Sequence, residues 1–168
     1  MRHFFHCQMI RMLEKHGLPD DATRQAVFFL HEAIFGKPAG KKVQERLNTA
    51  PDLLVLLAET ADGQLAGFKI GYRQAPGTYY SWLGGVLTEF RRQGIAEALM
   101  QHQHEWARRQ GYLRIQTKTM NRWRSMLILN IQSGFDIIGT YQGMDGSVRI
   151  ILQKELKEKR QGEKSKGQ

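Results

Sequence analysis

Apolar residues along the chain fall in short runs separated by polar turns, and the spacing inside each run predicts its local structure. Seven runs have the length and composition of strands. They span residues 3–13, 52–60, 65–73, 79–88, 113–119, 135–142 and 147–156. Asp62-Gly63 and Asp145-Gly146 supply hairpin turns between neighbouring runs. Another loop is expected at 74–78, before the fourth strand.

Four stretches show the helical period instead. The first begins at Pro19-Asp20-Asp21, where acidic residues suit a helix start, and ends at Gly36. Its apolar positions at helical spacing are Ala26, Phe29, Leu30, Ala33 and Ile34. The other helices span about 41–47, 95–109 and 124–132. This order of elements predicts a mixed α/β domain, with antiparallel hairpins early and late and a strand–helix–strand unit in the middle.

The length of 168 residues suits one domain with a single sizeable core. We expect that domain to span residues 1–156, and the charged tail, 157–168, to be disordered because it has almost nothing to bury. No apolar run approaches the roughly 20 residues of a membrane span. The first residues lack the pattern of a signal peptide, so a cytoplasmic location is expected.

The charge balance indicates an anionic ligand but does not specify its class. The formal net charge is +9, which suits nucleic acid, a membrane surface or a nucleotide cofactor. The single cysteine, Cys7, rules out a disulfide within the chain and a cysteine-based metal site. His102 and His104 are two residues apart and point to different faces of a helix, so no metal is expected.

The most informative stretch lies between residues 79 and 109. A buried strand leads through a basic turn containing Gly94 into a helix, and the free N–H groups at the helix start favour an anion. A Walker-type loop needs a Gly-Lys-Ser/Thr ending that is missing here. A dinucleotide fingerprint needs three spaced glycines after the strand, but Gly84-Gly85 lie inside it. Ala96, two positions after Gly94, lets a pyrophosphate lie close to the backbone.

The segment VLTEFRRQGIA, residues 86–96, resembles the acetyl-coenzyme A motif of the GNAT superfamily of N-acetyltransferases, Arg/Gln-x-x-Gly-x-Gly/Ala. Asn121 after the fifth strand and the pair Gly134-Phe135 resemble further family features, so the likeness extends over about 53–156. It implies a central mixed sheet of about six to seven strands flanked by about four helices. It also implies transfer of an acetyl group from acetyl-coenzyme A to a primary amine by direct attack.

The resemblance implies roles for individual residues. Backbone N–H groups from Arg92 to Glu97 would hold the pyrophosphate, the side chains of Arg91 and Arg92 would add charge, and Val86 would pair with the pantetheine like an added strand. A backbone N–H near Val86 would stabilise the oxyanion. Gly84-Gly85 would suit a fourth strand that splays from the fifth. The implied cofactor-binding residues are Val86, Arg91, Arg92, Gln93, Gly94, Ile95, Ala96, Glu97, Asn121 and Asn130.

The sequence departs from the family at the general acid. Many members have a tyrosine four residues before the Gly-Phe glycine, and that position is Asn130, whose amide cannot donate a proton as an acid. Ser125 and Tyr141 lie nearby in sequence, but neither is favoured. For the general base, which must deprotonate the acceptor amine, Glu32 and Glu89 are the candidates.

The other function considered is a basic nucleic-acid-associated module that uses the same fold without catalysis. Arg122-Trp123-Arg124 has a suitable composition, but three residues are thin evidence, and their place beside Asn121 suggests the coenzyme's phosphates instead. The sequence therefore favours the acetyltransferase. It does not specify the acceptor. A homodimer is plausible from the family alone.

Overall fold

The computed structural model describes residues 9–156, so Cys7 and the tail at 157–168 lie outside the described residues. Within them, seven strands, β1–β7, span Ile10–His16, Leu54–Thr60, Leu65–Ala75, Thr78–Val86, Arg114–Met120, Asp136–Gln142 and Val148–Glu155. Four α-helices, α1–α4, span Asp21–Phe35, Lys41–Thr49, Ile95–Arg109 and Arg124–Gln132. A short 3-10 turn, Thr88–Phe90, follows β4.

All seven strands form one sheet in the order β1-β2-β3-β4-β5-β7-β6. Neighbours are antiparallel throughout except β4 and β5, which are parallel and joined through α3. A parallel pair needs such a crossover, whereas antiparallel strands can be joined by tight turns. The predicted mixed α/β class, with seven strands and four helices in the described part, is confirmed.

The helices cover both faces of the sheet. On one face, α1 packs so closely on β4 that a Cβ atom built on Gly85 would lie 2.8 Å from Cγ2 of Ile34. On the other face, the ring of Trp106 in α3 lies 5.1 Å from that of Tyr79 in β4. Because residues directly opposite each other in a ladder share a face, these contacts assign every position of β3 and β4 to the α1 face or to the α3 face.

The core lies in the central strands between the two helix layers. The run at 54–57 in β2 is almost completely buried, as expected for a strand that is covered on both faces. Burying each of these aliphatic side chains contributes about 1.5–3 kcal/mol. The continuous apolar run that predicted this strand is therefore explained by its central place.

Three details of the prediction were wrong. The first strand continues past Leu13 to His16, which pairs with Leu54 at the start of β2, whereas the predicted positions 3–8 lie outside the described residues. In α1, Phe29 is 57% exposed, and Val27, which was not among the predicted positions, is buried together with the predicted Leu30. The expected loop at 74–78 is a tight turn, since β3 continues to Ala75 and β4 begins at Thr78.

Candidate active site

The parallel strands β4 and β5 are paired along only part of their length. Thr78 to Ser81 pair with Arg114 to Thr117, and Thr117 Oγ1 donates a hydrogen bond of 2.9 Å to the Ser81 carbonyl where the pairing ends. Beyond it, β4 continues to Val86 and β5 to Met120. The two strands therefore leave unpaired backbone facing each other at their carboxyl ends.

A β-bulge in β4 lies at the point of separation. Ile70 pairs with Leu83 but Gly71 pairs with Ser81, so Trp82 is an extra residue in β4. A bulge bends a strand and increases its twist, which accounts for the divergence from β5. Farther along β4, a side chain at Gly84 would be crowded, because an added Cβ would lie 3.0 Å from the Phe68 carbonyl oxygen.

The turn after β4 is fixed at its base and open at its tip. Leu87 and Phe90 are buried, and Arg91 Nε donates a hydrogen bond of 3.1 Å to the Val86 carbonyl. Arg92 (φ 59°) and Gly94 (φ 78°) both have left-handed backbone conformations. Such a conformation is costly for arginine, on the order of 1–3 kcal/mol, and is typical of functional turns.

The exposed turn and the start of α3 present a row of free backbone donors. Among the described residues, the N–H groups of 92–97 donate to no backbone carbonyl, and Gly94 supplies no side-chain cap. Concave runs of N–H groups at a helix N-terminus bind anions, phosphates above all. The turn that carries these N–H groups is tied to the end of β4 by the hydrogen bond from Arg91 to Val86.

The remaining cofactor-binding candidates lie beyond β5. Asn121 is exposed in the turn between β5 and α4, at the same sheet edge as the turn after β4. Asn130 in α4 is only 4% exposed, and its side chain makes no hydrogen bond within residues 9–156. Because Lys154 Nζ lies 2.7 Å from the Ser133 carbonyl oxygen and 3.4 Å from His104 Nδ1, α4 and α3 share one face of the sheet.

The two candidate bases are separated. Glu89 is exposed in the 3-10 turn, where its carbonyl accepts a hydrogen bond of 3.3 Å from the Gln93 side chain. Glu32 is exposed on α1, against the opposite face from α3. The structure therefore does not bring the two carboxylates together.

An aromatic group on the α1 face, adjoining the bulge, was not recognised from sequence. The ring of Tyr72 lies 5.4 Å from that of Tyr80 and 5.9 Å from that of Trp82, and Arg46 of α2 lies 4.9 Å above it. Burial raises the pKa of Tyr80 to about 12. Alternation along β3 and β4 places Tyr72 and Tyr80 on one face, but the bulge that brings Trp82 to them has no sequence signal.

Lys69 in β3 was also missed. It is 8% exposed on the α3 face, and it has no hydrogen-bond or ion-pair partner among residues 9–156. Burial lowers its pKa to about 8. A lysine in the middle of a strand that is buried on both sides is unusual, and that was the available signal.

Residues 9–156 contain neither a metal-ligand cluster nor a membrane-spanning helix. No group of three or more His, Cys, Asp or Glu side chains is arranged to hold a metal ion. None of the described helices is long and apolar enough to cross a membrane.

Comparison with known proteins connects this geometry to a family. The family model described as "Acetyltransferase (GNAT) domain" matches residues 7–117. No curated protein is significantly similar in sequence. Among solved structures, the ribosomal-protein-S18-alanine N-acetyltransferase from Escherichia coli superposes with a TM-score of 0.71 at 17% identity, covering 89% of this chain and 97% of that one.

A second similar structure is a GNAT family acetyltransferase from Elizabethkingia anophelis with acetyl-CoA bound. It has a TM-score of 0.70 at 18% identity, and the match covers 87% of this chain and 97% of that one. At these identities the superpositions establish a shared fold, and the family model establishes the family.

Proposed function

The chain belongs to the GNAT acetyltransferase domain family, for which acetyl-coenzyme A is the cosubstrate, and we propose that it acetylates a primary amine by direct attack on the thioester. The observation that carries this proposal is the separation of β4 from β5 beside the free N–H groups of 92–97. An extended amide chain fits the unpaired edge of β4, and a pyrophosphate fits the helix start.

Each element of the site then has a role. The N–H groups of Arg92 to Glu97, with the side chains of Arg91, Arg92 and Gln93, hold the phosphates. The backbone around Val86 pairs with the pantetheine, although the Val86 carbonyl already accepts a hydrogen bond from Arg91. Asn121 and Asn130 contact the pantetheine from the β5 side. A backbone N–H near Val86 stabilises the oxyanion.

The acceptor amine approaches from the α1 face. The aromatic rings at Tyr72, Tyr80 and Trp82 are the nearest described surface to the bulge on that side, and aromatic rings attract an ammonium group. A carboxylate must then remove a proton from the acceptor. Glu32 and Glu89 are the candidates; Glu32 lies on a helix of the acceptor face, whereas Glu89 adjoins the phosphate-binding turn.

The test is a thermal-shift titration of the whole chain with acetyl-coenzyme A, followed by a panel of amines in which free thiol is measured. We expect Tm to rise with ligand concentration, because a ligand that binds only the folded state stabilises it. Thiol release should depend on one class of amine. No shift with acetyl-coenzyme A would contradict the proposal. Binding of duplex DNA that weakens steeply with salt would instead support the nucleic-acid module.

Three finer statements stay proposals from sequence and family. They are the single domain over residues 1–156 followed by a tail, a cytoplasmic location, and a homodimer. The half-exposed Ile137 and Ile138 on the edge strand β6 support an interface there, because exposed apolar residues on an edge favour association. Sedimentation analysis across a concentration series tests the dimer.

A further inference from the structure

Among residues 9–156, the buried ammonium group of Lys69 has no assigned role in the proposed reaction. Lys69 is nine-tenths buried in β3, and within residues 9–156 its Nζ has neither a hydrogen bond nor an ion pair. A buried charge without a partner costs several kcal/mol, and proteins retain such groups mainly at functional sites. Among residues 9–156, the side-chain amide of Gln103 and Nε2 of His104 are completely buried and have no hydrogen-bond partner. The Lys69 ammonium is not among the completely buried atoms.

The side chain of Lys69 packs against Gly84 of β4, beside the gap between β4 and β5. Lys69 is directly opposite Gly84, so both lie on one face, and a Cβ on Gly84 would lie 3.4 Å from Lys69 Cγ. Gly84 thus leaves the space that the lysine chain crosses. Gly71, two residues along β3, lies under Gln103 of α3, which identifies this as the α3 face. Gly84 itself belongs to the part of β4 that has no partner in β5.

No carboxylate of the surrounding elements neutralises this lysine. Groups on the same face include the apolar Leu56 of β2, the paired Glu14 of β1, the neutral His104 of α3, and two cations, Arg108 of α3 and Lys154 of β7. The Glu14 carboxylate lies 2.5 Å from His102 Nε2 and 2.7 Å from His16 Nε2. Burial first, then the charges of Lys154, Lys69 and Arg108, lower the pKa of His104 to about 3, so His104 is neutral near neutral pH.

We propose that Lys69 is the catalytic acid of this chain, and that its ammonium donates a proton to the departing coenzyme A sulfur in place of the tyrosine that Asn130 replaces. The inference rests on the proposed function. Asn130 approaches the same face of the sheet from α4 and can supply a hydrogen bond but no proton. Among residues 9–156, Lys69 is a buried cation on that face without a partner, whereas Lys154 donates to the Ser133 carbonyl and Arg108 is exposed to solvent.

The step balances without another reactant. The acceptor nitrogen forms a bond to the thioester carbon, and the carbon–sulfur bond breaks with its electron pair moving to sulfur. Lys69 gives one proton to sulfur and becomes a neutral amine. It then regains a proton from solvent, which has received the one lost by the acceptor nitrogen. A pKa of about 8, close to that of an ordinary thiol at about 8.5, suits transfer in both directions.

The test measures the thiol pKa of bound coenzyme A, and it needs no acceptor. The ultraviolet absorbance of the thiolate is titrated against pH in the wild-type complex and in Lys69→Met, with desulfo-coenzyme A complexes as blanks. An ammonium within about 4–6 Å lowers the pKa of an acidic group by about one to three units. We expect the bound thiol to have a lowered pKa in the wild type, and that lowering to disappear in Lys69→Met.

Two variants serve as controls. Lys69→Arg keeps the positive charge and should keep most of the lowered thiol pKa, while slowing turnover of an active amine because arginine does not release its proton. Lys154→Met removes a second lysine from the same face and should leave the thiol pKa unchanged. An unchanged thiol pKa in Lys69→Met would overturn the inference. Failure of coenzyme A to bind the wild type would instead overturn the proposed function.

The Tm of the unliganded variant distinguishes a catalytic role of Lys69 from a structural one. Because Lys69 is an unpaired buried cation, Lys69→Met should raise the Tm of the unliganded protein. The folded pKa is lowered from 10.5 to about 8, so the unfolded chain binds more protons between these values and wild-type stability rises with pH there. The Tm advantage of Lys69→Met should therefore shrink from pH 8 upward. A lower Tm in the variant would mark Lys69 as structural.

If Lys69→Met does not fold, a crystal structure of the wild-type complex with coenzyme A decides the matter. The inference requires the sulfur within hydrogen-bond reach of Lys69 Nζ, directly or through one water molecule. A sulfur farther away would overturn it.

Discussion

Helices α1 and α3 have the same length, 15 residues, and opposite arrangements at their starts. At α1, the Asp20 side chain accepts a hydrogen bond of 2.8 Å from the Thr23 N–H, and Asp21 places a second negative charge in the first turn. At α3, Gly94 provides no side chain at all. Helix α1 thus satisfies its own amino end, and α3 leaves its donors open.

The difference separates a helix that stabilises the fold from one whose start is also proposed to hold a ligand. A side-chain cap on α3 would compete with an external anion for the same N–H groups. A left-handed glycine instead turns the chain sharply into the helix and keeps the approach clear, since no atom lies within 4 Å of a Cβ built there. The missing cap in α3 is therefore consistent with the proposed pyrophosphate site.

Among the variants proposed here for the two helix starts, Gly94→Glu should have the largest effect on acetyl-coenzyme A binding. The new carboxylate would both occupy the open approach and repel a phosphate. At a ligand concentration of a hundred times Kd, binding stabilises a wild-type protein by about 2.7 kcal/mol. We expect Gly94→Glu to lose nearly all of that gain, measured as the Tm shift with acetyl-coenzyme A.

The matched control lies at the other end of the same helix. Gly111, just after α3, also has a left-handed backbone (φ 86°) and open space around its Cβ position. Gly111→Glu should strain the backbone to a similar degree, about 1–2 kcal/mol, and keep the full Tm shift. Equal loss of the shift in both variants would show that strain, not the anion site, is responsible.

Local sequence predicted α3 well because its signals are local. Gly94 gives the start, Gly111 the end, and the spacing of Ile95, Leu99 and Trp106 gives the buried face, all three of which are buried. The order of elements followed in the same way from short runs and turns. The separation of β4 from β5 was expected only through the family resemblance.

What sequence did not supply depends on contacts between distant segments. In α1, the predicted Ile34 packs against Gly85, but Phe29 is exposed and Val27 is buried, because contacts with the sheet decide which side of the helix is covered. Lys69 becomes significant only once β4 places Gly84 beside it. The bulge at Trp82 is likewise a property of the β3–β4 pairing.

The two arginines of the turn should differ in what they contribute. Arg92→Ala should weaken acetyl-coenzyme A binding about tenfold, because a charged hydrogen bond contributes on the order of 1.5 kcal/mol, without lowering stability. Arg91→Ala should weaken binding and also lower Tm, because Arg91 Nε ties the turn to the Val86 carbonyl. Calorimetric titration and thermal unfolding measure the two effects. Identical behaviour of the two variants would contradict this division.

The smallest expected effect on Tm concerns the Asp20 cap at the start of α1. Hydrogen bonds from Thr23 first, then the charge of Lys15, lower the pKa of Asp20 below its ordinary 3.8. A lowered carboxyl pKa means that the cap stabilises the fold above that value and loses its effect as pH falls through the folded pKa. Asp20→Ala should therefore reduce Tm slightly at neutral pH, and the difference should vanish in acid.

Asp20→Asn sharpens this prediction, because the amide oxygen still accepts the Thr23 hydrogen bond but carries no charge. It should keep most of the wild-type Tm at neutral pH, and should lack the acid-dependent loss. Acetyl-coenzyme A affinity should be unchanged in both variants, since Asp20 caps α1 and the proposed phosphate site is at the start of α3. A change in affinity would mean that the two helix starts are coupled and would break the comparison.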